Sequence, residues 1–169
     1  MLEVVGLCFA TDVRSAALLV VPPNTSAVTA TESLRELGIN AYALDLNDSD
    51  QWKSLLAMNP NNEDSENPLL IVTSTAATRG VDLPSLSHVF MLGIPDLANL
   101  DVYRHIAGRV NRFGKGGKII NILKERELGV RDGSVVETNE PGWMGIVYRM
   151  LGISPETYDT SIFEDMRDT

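Results

Sequence analysis

Two runs of this chain hold residue types that can do chemistry. The first is Thr78-Arg79-Gly80-Val81-Asp82-Leu83-Pro84, and the second is Tyr103-Arg104-His105-Ile106-Ala107-Gly108-Arg109-Val110-Asn111-Arg112-Phe113-Gly114. Between them, the second run and the residues just after it supply Arg104, Arg109, Arg112, Lys115 and Lys118 with no acid among them, in a protein of formal net charge -9. A helix over Asn99 to Arg112 would place His105, Arg109 and Arg112 at i, i+4 and i+7, on one face. Two arginines side by side at a helix end suit a shared anion, because guanidinium is permanently charged and bonds phosphate oxygens as a fork. A solvated basic helix end paired with nearby acids is the plainer alternative.

Together the two runs resemble motifs V and VI of the DEAD-box RNA helicases, in the second of that family's two RecA-like domains. Motif V there reads roughly Ala-Thr-Asp-x-Ala-Ala-Arg-Gly-x-Asp-Ile-Pro; here the stretch is Thr73-Ser74-Thr75-Ala76-Ala77-Thr78-Arg79-Gly80-Val81-Asp82-Leu83-Pro84. Motif VI there reads His-Arg-x-Gly-Arg-x-Gly-Arg; here it is His105-Ile106-Ala107-Gly108-Arg109-Val110-Asn111-Arg112. Their order, their separation and the strand between them agree.

The resemblance implies phosphoryl transfer with its parts divided between two domains. It makes Arg109 and Arg112 arginine fingers reaching the γ-phosphate of ATP. Gly80 and Asp82 would approach the nucleotide, glycine because the backbone must come close and aspartate as acceptor for a ribose hydroxyl. His105 would join the network linking the two domains. Ser74 stands where the family has a threonine, Thr75 where it has an aspartate, and Asn24 and Thr25 where motif IV usually carries Asn-Thr. These four would hold single-stranded RNA by its phosphates and 2′-hydroxyls, with little reading of bases. Each assignment has a plain counterpart: a loop cap or a bridge to Arg79 for Asp82, a satisfied structural histidine for His105, and ordinary capping for Ser74, Thr75, Asn24 and Thr25.

The phosphate cradle itself is missing from this sequence. No Gly-x-x-x-x-Gly-Lys-Ser/Thr loop and no Asp-Glu-Ala-Asp run is present. Gly114-Lys115-Gly116-Gly117-Lys118 has the wrong spacing and reads as a turn into a strand. ATP and Mg2+ are therefore expected on an N-terminal RecA-like partner domain, with no metal site on this chain and no ATP turnover by it alone. The sequence also departs from the family pattern. Ile106 replaces an arginine, Asn111 a glycine, and Pro22-Pro23 the phenylalanine region of motif IV. The segment from Pro95 to Tyr103 is a couple of residues long, and Lys53-Ser54 stand where an arginine is expected. These mark a divergent member, similar in this to certain plant and algal organellar helicases. A degenerate, non-catalytic RNA- or protein-binding module is the alternative.

The elements that must position these residues alternate. Apolar runs predict strands at Leu2–Cys8, Ala17–Val21, Asn40–Leu44, Leu69–Thr73, His88–Leu92 and Lys118–Leu123, several of them apolar throughout as in sheets covered on both faces. Helical segments are expected at Thr25–Leu37, with Asn24 as N-cap and Gly38 as stop, at Ser49–Met58, and at Asn99–Arg109. A further helix is expected from Pro141 to Leu151, with Pro141 at its first position. Such alternation implies right-handed crossovers and a mainly parallel sheet with helices on both faces, an α/β fold. That is the three-layer RecA-like architecture of the resemblance. Residues 1–152 are expected to form the domain, and 153–169 an acidic, frayed tail. The polar stretch Asn59–Pro68 is expected to be a surface loop.

Composition bounds the rest. A chain of 169 residues with 44% hydrophobic content suits one globular domain. No apolar stretch approaches the ~20 residues that span a bilayer, so no membrane partner is expected. A strand at the very start argues against a leader peptide. The single cysteine, Cys8, excludes disulfides and points to a buried thiol in an intracellular protein, with a plastid or mitochondrial setting left open. Acids outnumber bases eight to two from Glu32 to Glu66, and ten to five from Lys124 onward. So acidic a chain, with pI near 4.6, binds RNA only locally and jointly with another domain, since non-specific affinity comes from phosphate neutralisation. A monomer is expected.

Overall fold

The computed structural model of the protein describes residues 1–44, 54, 67–80, 86–95, 100–108, 110 and 117–158. Contacts sort the chain into two compact units, Met1–Leu123 and Lys124–Thr169. The first unit opens with helix α1 (Leu2–Asp12), followed by β1 (Ala16–Val21), α2 (Ala27–Glu36) and β2 (Ala41–Ala43). Then come β3 (Leu69–Ser74), a 3-10 turn at Ala77–Gly80, β4 (His88–Leu92), α3 (Leu100–Ala107) and β5 (Lys118–Ile122).

The five strands form one sheet in the order β2-β3-β1-β4-β5, with every pairing parallel. β1 is central because all six of its residues, Ala16 to Val21, are apolar and buried, so neither face of the strand tolerates water. It pairs with β3 from Ala16↔Leu69 to Val21↔Ser74 and with β4 from Ala17↔His88 to Val20↔Met91. The connection from β1 runs through α2 to one side, and that from β4 runs through α3 to the other. Right-handed crossovers then put α2 and α3 on opposite faces. The α/β expectation holds, and five of the six expected strands stand within a residue or two of their predicted ends.

The sixth does not. Leu2–Cys8 is no strand but most of α1, so no strand there bears on a leader peptide. The buried residues of α1 are Val5, Gly6, Cys8 and Phe9, spaced for one face of a helix. A short, nearly continuous apolar run is compatible with either a buried strand or a buried helix, and only packing decides between them. Gly6 lies against the end of α2, where an added Cβ would meet Leu37 Cδ1 at 3.6 Å.

The start of α2 also differs in detail. Its N-cap is Ser26, whose Oγ accepts from Thr29 N at 3.3 Å, and not Asn24. Its end follows expectation. Gly38 takes φ +80°, and bonds Gly38 N–Arg35 O (2.9 Å) and Ile39 N–Leu34 O (3.0 Å) close the last turn. The expected helix Ser49–Met58, apart from Ser54, and most of the loop Asn59–Pro68 lie outside the described residues.

The second unit holds a hairpin that the sequence reading did not anticipate, β6 (Glu127–Arg131) and β7 (Ser134–Thr138), antiparallel from Glu127↔Thr138 to Arg131↔Ser134. Its two-residue loop is Asp132-Gly133, with φ of +52° and +77°. Both values are positive, as this kind of tight hairpin turn demands. Helix α4 (Glu140–Leu151) follows, capped by Asn139, whose Oδ1 accepts from Gly142 N at 3.0 Å. Pro141 sits in its first turn, as expected. Met144 and Val147 are its buried side chains, and Gly152 ends it with φ +67°.

Candidate functional site

A parallel sheet puts the carboxyl ends of all its strands along one edge, and the chemistry-bearing loops gather there. After β1 comes a tight turn, Pro22-Pro23-Asn24-Thr25, closed by Thr25 N donating to Pro22 O at 2.9 Å. After β3 come Ser74 and Thr75 and then the 3-10 turn at Ala77–Gly80, pinned by Thr78 Oγ1 donating to Thr75 O at 2.8 Å. Because Val21 pairs with Ser74 in the sheet register, these two loops leave the sheet as immediate neighbours, their strands ~4.8 Å apart. The sheet therefore brings Asn24 and Thr25 beside Ser74 and Thr75.

None of these four side chains makes a hydrogen bond to a described residue. Asn24 is exposed, and Thr25, Ser74 and Thr75 are half-buried. The capping roles open to them in sequence are filled by others, Ser26 for α2 and Thr78 for the turn after β3. Four polar groups on adjacent loops are thus left to meet solvent or a ligand.

The nucleotide-facing set is described only in part. Gly80 closes the 3-10 turn, and His105 is exposed on α3. Asp82, Arg109 and Arg112 lie outside the described residues. The helix expected to carry His105, Arg109 and Arg112 on one face is shorter than that. It ends at Ala107, Gly108 N donates to Arg104 O (2.9 Å), and Val110 bridges to Leu86 as a strand residue would. Gly108 suits the stop, because a Cβ there would stand only 3.3 Å from Arg104 O. Arg104 itself is exposed and pairs with Asp101 at 3.5 Å.

Along the same edge lies a cavity of about 380 Å³. Pro22 and Pro23 line it from the β1 loop, Thr75 from the β3 loop, Ile94 from the β4 loop, and Tyr103 and Ile106 from α3. The connections of β1 and β4 leave in opposite directions, so their ends flank a topological switch point, where open α/β sheets bind ligands. Tyr103 is anchored by Asn121 Nδ2 donating to its hydroxyl at 3.2 Å, and burial raises its pKa despite that bond. The sequence reading missed this cavity, since apolar residues far apart in the chain carry no signal of convergence.

A second polar cluster, also missed, sits at the opposite edge. His88 Nε2 is 3.2 Å from Asp12 Oδ2, and its Nδ1 is 3.0 Å from Ser87 Oγ. Ser87 Oγ also donates to Ala16 O at 3.1 Å, and Lys118 Nζ reaches Asp12 Oδ2 at 2.5 Å. Burial holds the His88 pKa below its usual value although Asp12 works against it. Burial opposes charge on Asp12 too, but the bonds from Lys118 and His88 outweigh it and lower that pKa. The order Ser-His-Asp invites comparison with a hydrolase triad, yet here it ties the end of α1 to the starts of β4 and β5.

Residues 6–114 match the helicase conserved C-terminal domain. The chain is 40% identical over 58 residues to the ATP-dependent RNA helicase eIF4A of Encephalitozoon cuniculi, an alignment covering 34% of this chain and 14% of that protein. Among solved structures it is similar to the C-terminal domain of the DEAD-box protein Dbp5, with TM-score 0.64 and 18% identity over 89% of this chain and 78% of that one. It is also similar to S. cerevisiae Dbp5 bound to RNA and ADP BeF3, with TM-score 0.68 and 18% identity over 99% of this chain and 40% of that one. At such identity these structures show the fold, a RecA-like α/β domain.

Proposed function

Because this chain belongs to the helicase conserved C-terminal domain family and is of the DEAD-box kind, we propose that it works as the second RecA-like half of an ATP-dependent RNA helicase. An N-terminal RecA-like domain would hold ATP and Mg2+. Among the described residues no group of three or more His, Cys, Asp or Glu stands close enough to hold a metal ion. Arg109 and Arg112 would reach the γ-phosphate as transition-state charge develops, with Asp82 on the ribose, the Gly80 backbone beside the nucleotide, and His105 linking the halves. Asn24, Thr25, Ser74 and Thr75 would hold the RNA backbone. The observation that supports the reading best is the convergence of those four uncommitted polar side chains on neighbouring loops at the carboxyl edge of the sheet.

One observation favours the non-catalytic alternative. Ile106, where the family carries an arginine, is buried, so a cation of the usual motif is replaced by core packing.

The test is binding of a labelled, unstructured single-stranded RNA by fluorescence anisotropy at low and physiological salt. Few, mainly phosphate contacts on an acidic protein predict a Kd of roughly 10⁻⁶–10⁻⁴ M that weakens steeply with salt. Tight, salt-insensitive binding would favour the non-catalytic module, and no binding at low salt would remove RNA as the ligand.

A further inference from the structure

Several places where this sequence departs from the family pattern are far apart along the chain but meet in space, while Lys53 and Asn111 lie outside the described residues. Pro22-Pro23 replace the phenylalanine region of motif IV, Ile106 replaces the motif VI arginine, and the segment between Pro95 and Tyr103 is lengthened. Pro22, Pro23, Pro95, Tyr103 and Ile106 line the cavity of about 380 Å³ at the carboxyl edge. Departures that meet at a cavity change what that cavity accepts.

Among the described residues no cationic side chain lines the cavity, and the chain as a whole is acidic, which favours an uncharged group over a phosphate or carboxylate. The described walls are mostly rings and aliphatic chains, which match a flat apolar face, and Thr75 supplies a polar group among them whose hydroxyl is bonded to no described residue. An aliphatic side chain would need no such group. The volume lies at the small end of the ~300–1,000 Å³ typical of ligand pockets, whose walls are likewise apolar with a few polar groups. Position names the source. Pro22 and Pro23 run directly into Asn24 and Thr25, and Thr75 belongs to both the cavity and the proposed RNA-contact set. A strand held by its backbone on these loops has its bases within reach of the opening.

We propose that the cavity receives one nucleobase of the bound RNA strand, so that this domain adds a base contact to backbone holding. The inference rests on the RNA reading above. Base stacking on an aromatic ring is worth about tenfold or more in affinity per base, and Tyr103 is the aromatic ring among the described lining residues.

The test uses the full 169-residue chain and two oligonucleotides with the same ribose-phosphate backbone, one of uridines and one abasic, compared by anisotropy at low salt. The uridine strand should bind about tenfold more tightly. Val102 of α3 also lines the cavity, and Val102→Trp, filling it, should bring the uridine strand down to the abasic level and leave abasic binding unchanged. Ile94→Phe fills it from the rim and serves if the Val102 variant lowers the thermal midpoint. Equal binding of the two strands by the unaltered chain overturns the base pocket while the backbone reading stands. It would leave the cavity to an apolar side chain of a protein partner. Failure of both strands to bind overturns both readings. Adenosine monophosphate removing the base-dependent part at low concentration would assign the cavity to a free nucleotide and overturn the strand assignment.

Discussion

The two edges of the central sheet differ in a way that bears on how functional sites are recognised. The amino edge has the more suggestive chemistry, with a serine, histidine, aspartate and lysine within hydrogen-bonding distance of one another. The carboxyl edge has an asparagine, two threonines and a serine. Yet the amino edge is closed on itself, its groups bonded to one another and to the backbone at Ala16, with the His88 ring stacked on Phe90 at 6.1 Å. At the carboxyl edge the side chains are bonded to nothing described and a cavity opens beside them. Residue type points to the amino edge, whereas hydrogen-bond satisfaction together with strand direction points to the carboxyl edge, the one proposed above to hold RNA. A polar cluster whose members satisfy each other has no capacity left for a ligand.

The largest effect that would sharpen this contrast lies at the carboxyl edge. If the protein works joined to an N-terminal RecA-like domain as proposed, Arg109→Lys or Arg112→Lys in the joined protein should lower RNA-stimulated ATP turnover by a factor of about ten to several thousand. Lysine keeps the charge and loses the planar fork, so the deficit measures geometry. Arg104→Lys should leave turnover unchanged, because Arg104 is exposed and paired only with Asp101. Phosphate release assayed for the three variants side by side decides it, and wild-type turnover by the Arg109 and Arg112 variants would reduce the cluster to a solvated face.

At the amino edge the expected loss is of stability. Asp12→Ala removes a partner of both His88 and Lys118 and should cost about 1–3 kcal/mol in urea unfolding at pH 7, because the buried His88 Nε2 loses its bond to Asp12. RNA affinity should be unchanged. The pH dependence has a definite sign. Burial makes His88 harder to protonate in the folded protein than in the unfolded chain, so its contribution is intact above about pH 6.5 and is lost as pH falls below that. Asp12, whose pKa is lowered, adds a loss only in more acid solution, as pH falls from its unfolded value through its folded one. Without Asp12 the protonated ring has lost its counter-charge, so the variant should lose more between pH 7.5 and 5.5 than the parent does. An equal loss in both would mean that the pair is not coupled.

Much of this fold was legible because parallel strands buried on both faces, such as Leu18–Val21 and Leu69–Val72, leave continuous apolar runs. The motif residues were legible because their types and order are themselves the signal. What was not legible had opposite causes. Leu2–Cys8 carries so many apolar residues that strand and helix patterns both fit, and only packing made it α1. The hairpin at Glu127–Thr138 carries exposed apolar residues, Leu128, Val130 and Val135, whose alternation is interrupted by charges. Its one clear sign was Asp132-Gly133, a pair that favours a two-residue hairpin loop. Helix α3 is shorter than the charge spacing from Arg104 to Arg112 suggests, because Gly108 and the bridge at Val110 end it. The cavity and the Asp12–His88–Lys118 cluster join residues up to 106 positions apart, beyond the reach of any local pattern.

The smallest expected effect separates two neighbours at the start of α2. Ser26 accepts from Thr29 N and so holds the first turn of the helix, whereas Asn24, two residues earlier, bonds to nothing described. Ser26→Ala should therefore cost about 0.5–2 kcal/mol of stability and leave RNA affinity where it was. Asn24→Ala should do the reverse. Its stability should stay within about 0.5 kcal/mol of the parent, as for an exposed side chain without a structural role. Its affinity for single-stranded RNA should drop roughly two- to tenfold, the worth of one hydrogen bond to a backbone group. Unfolding midpoints and anisotropy at low salt, measured on both variants, are enough. If Asn24→Ala destabilises the fold as much as Ser26→Ala and leaves RNA affinity alone, Asn24 is part of the cap after all, and the carboxyl edge holds one ligand-facing group fewer than the geometry indicates.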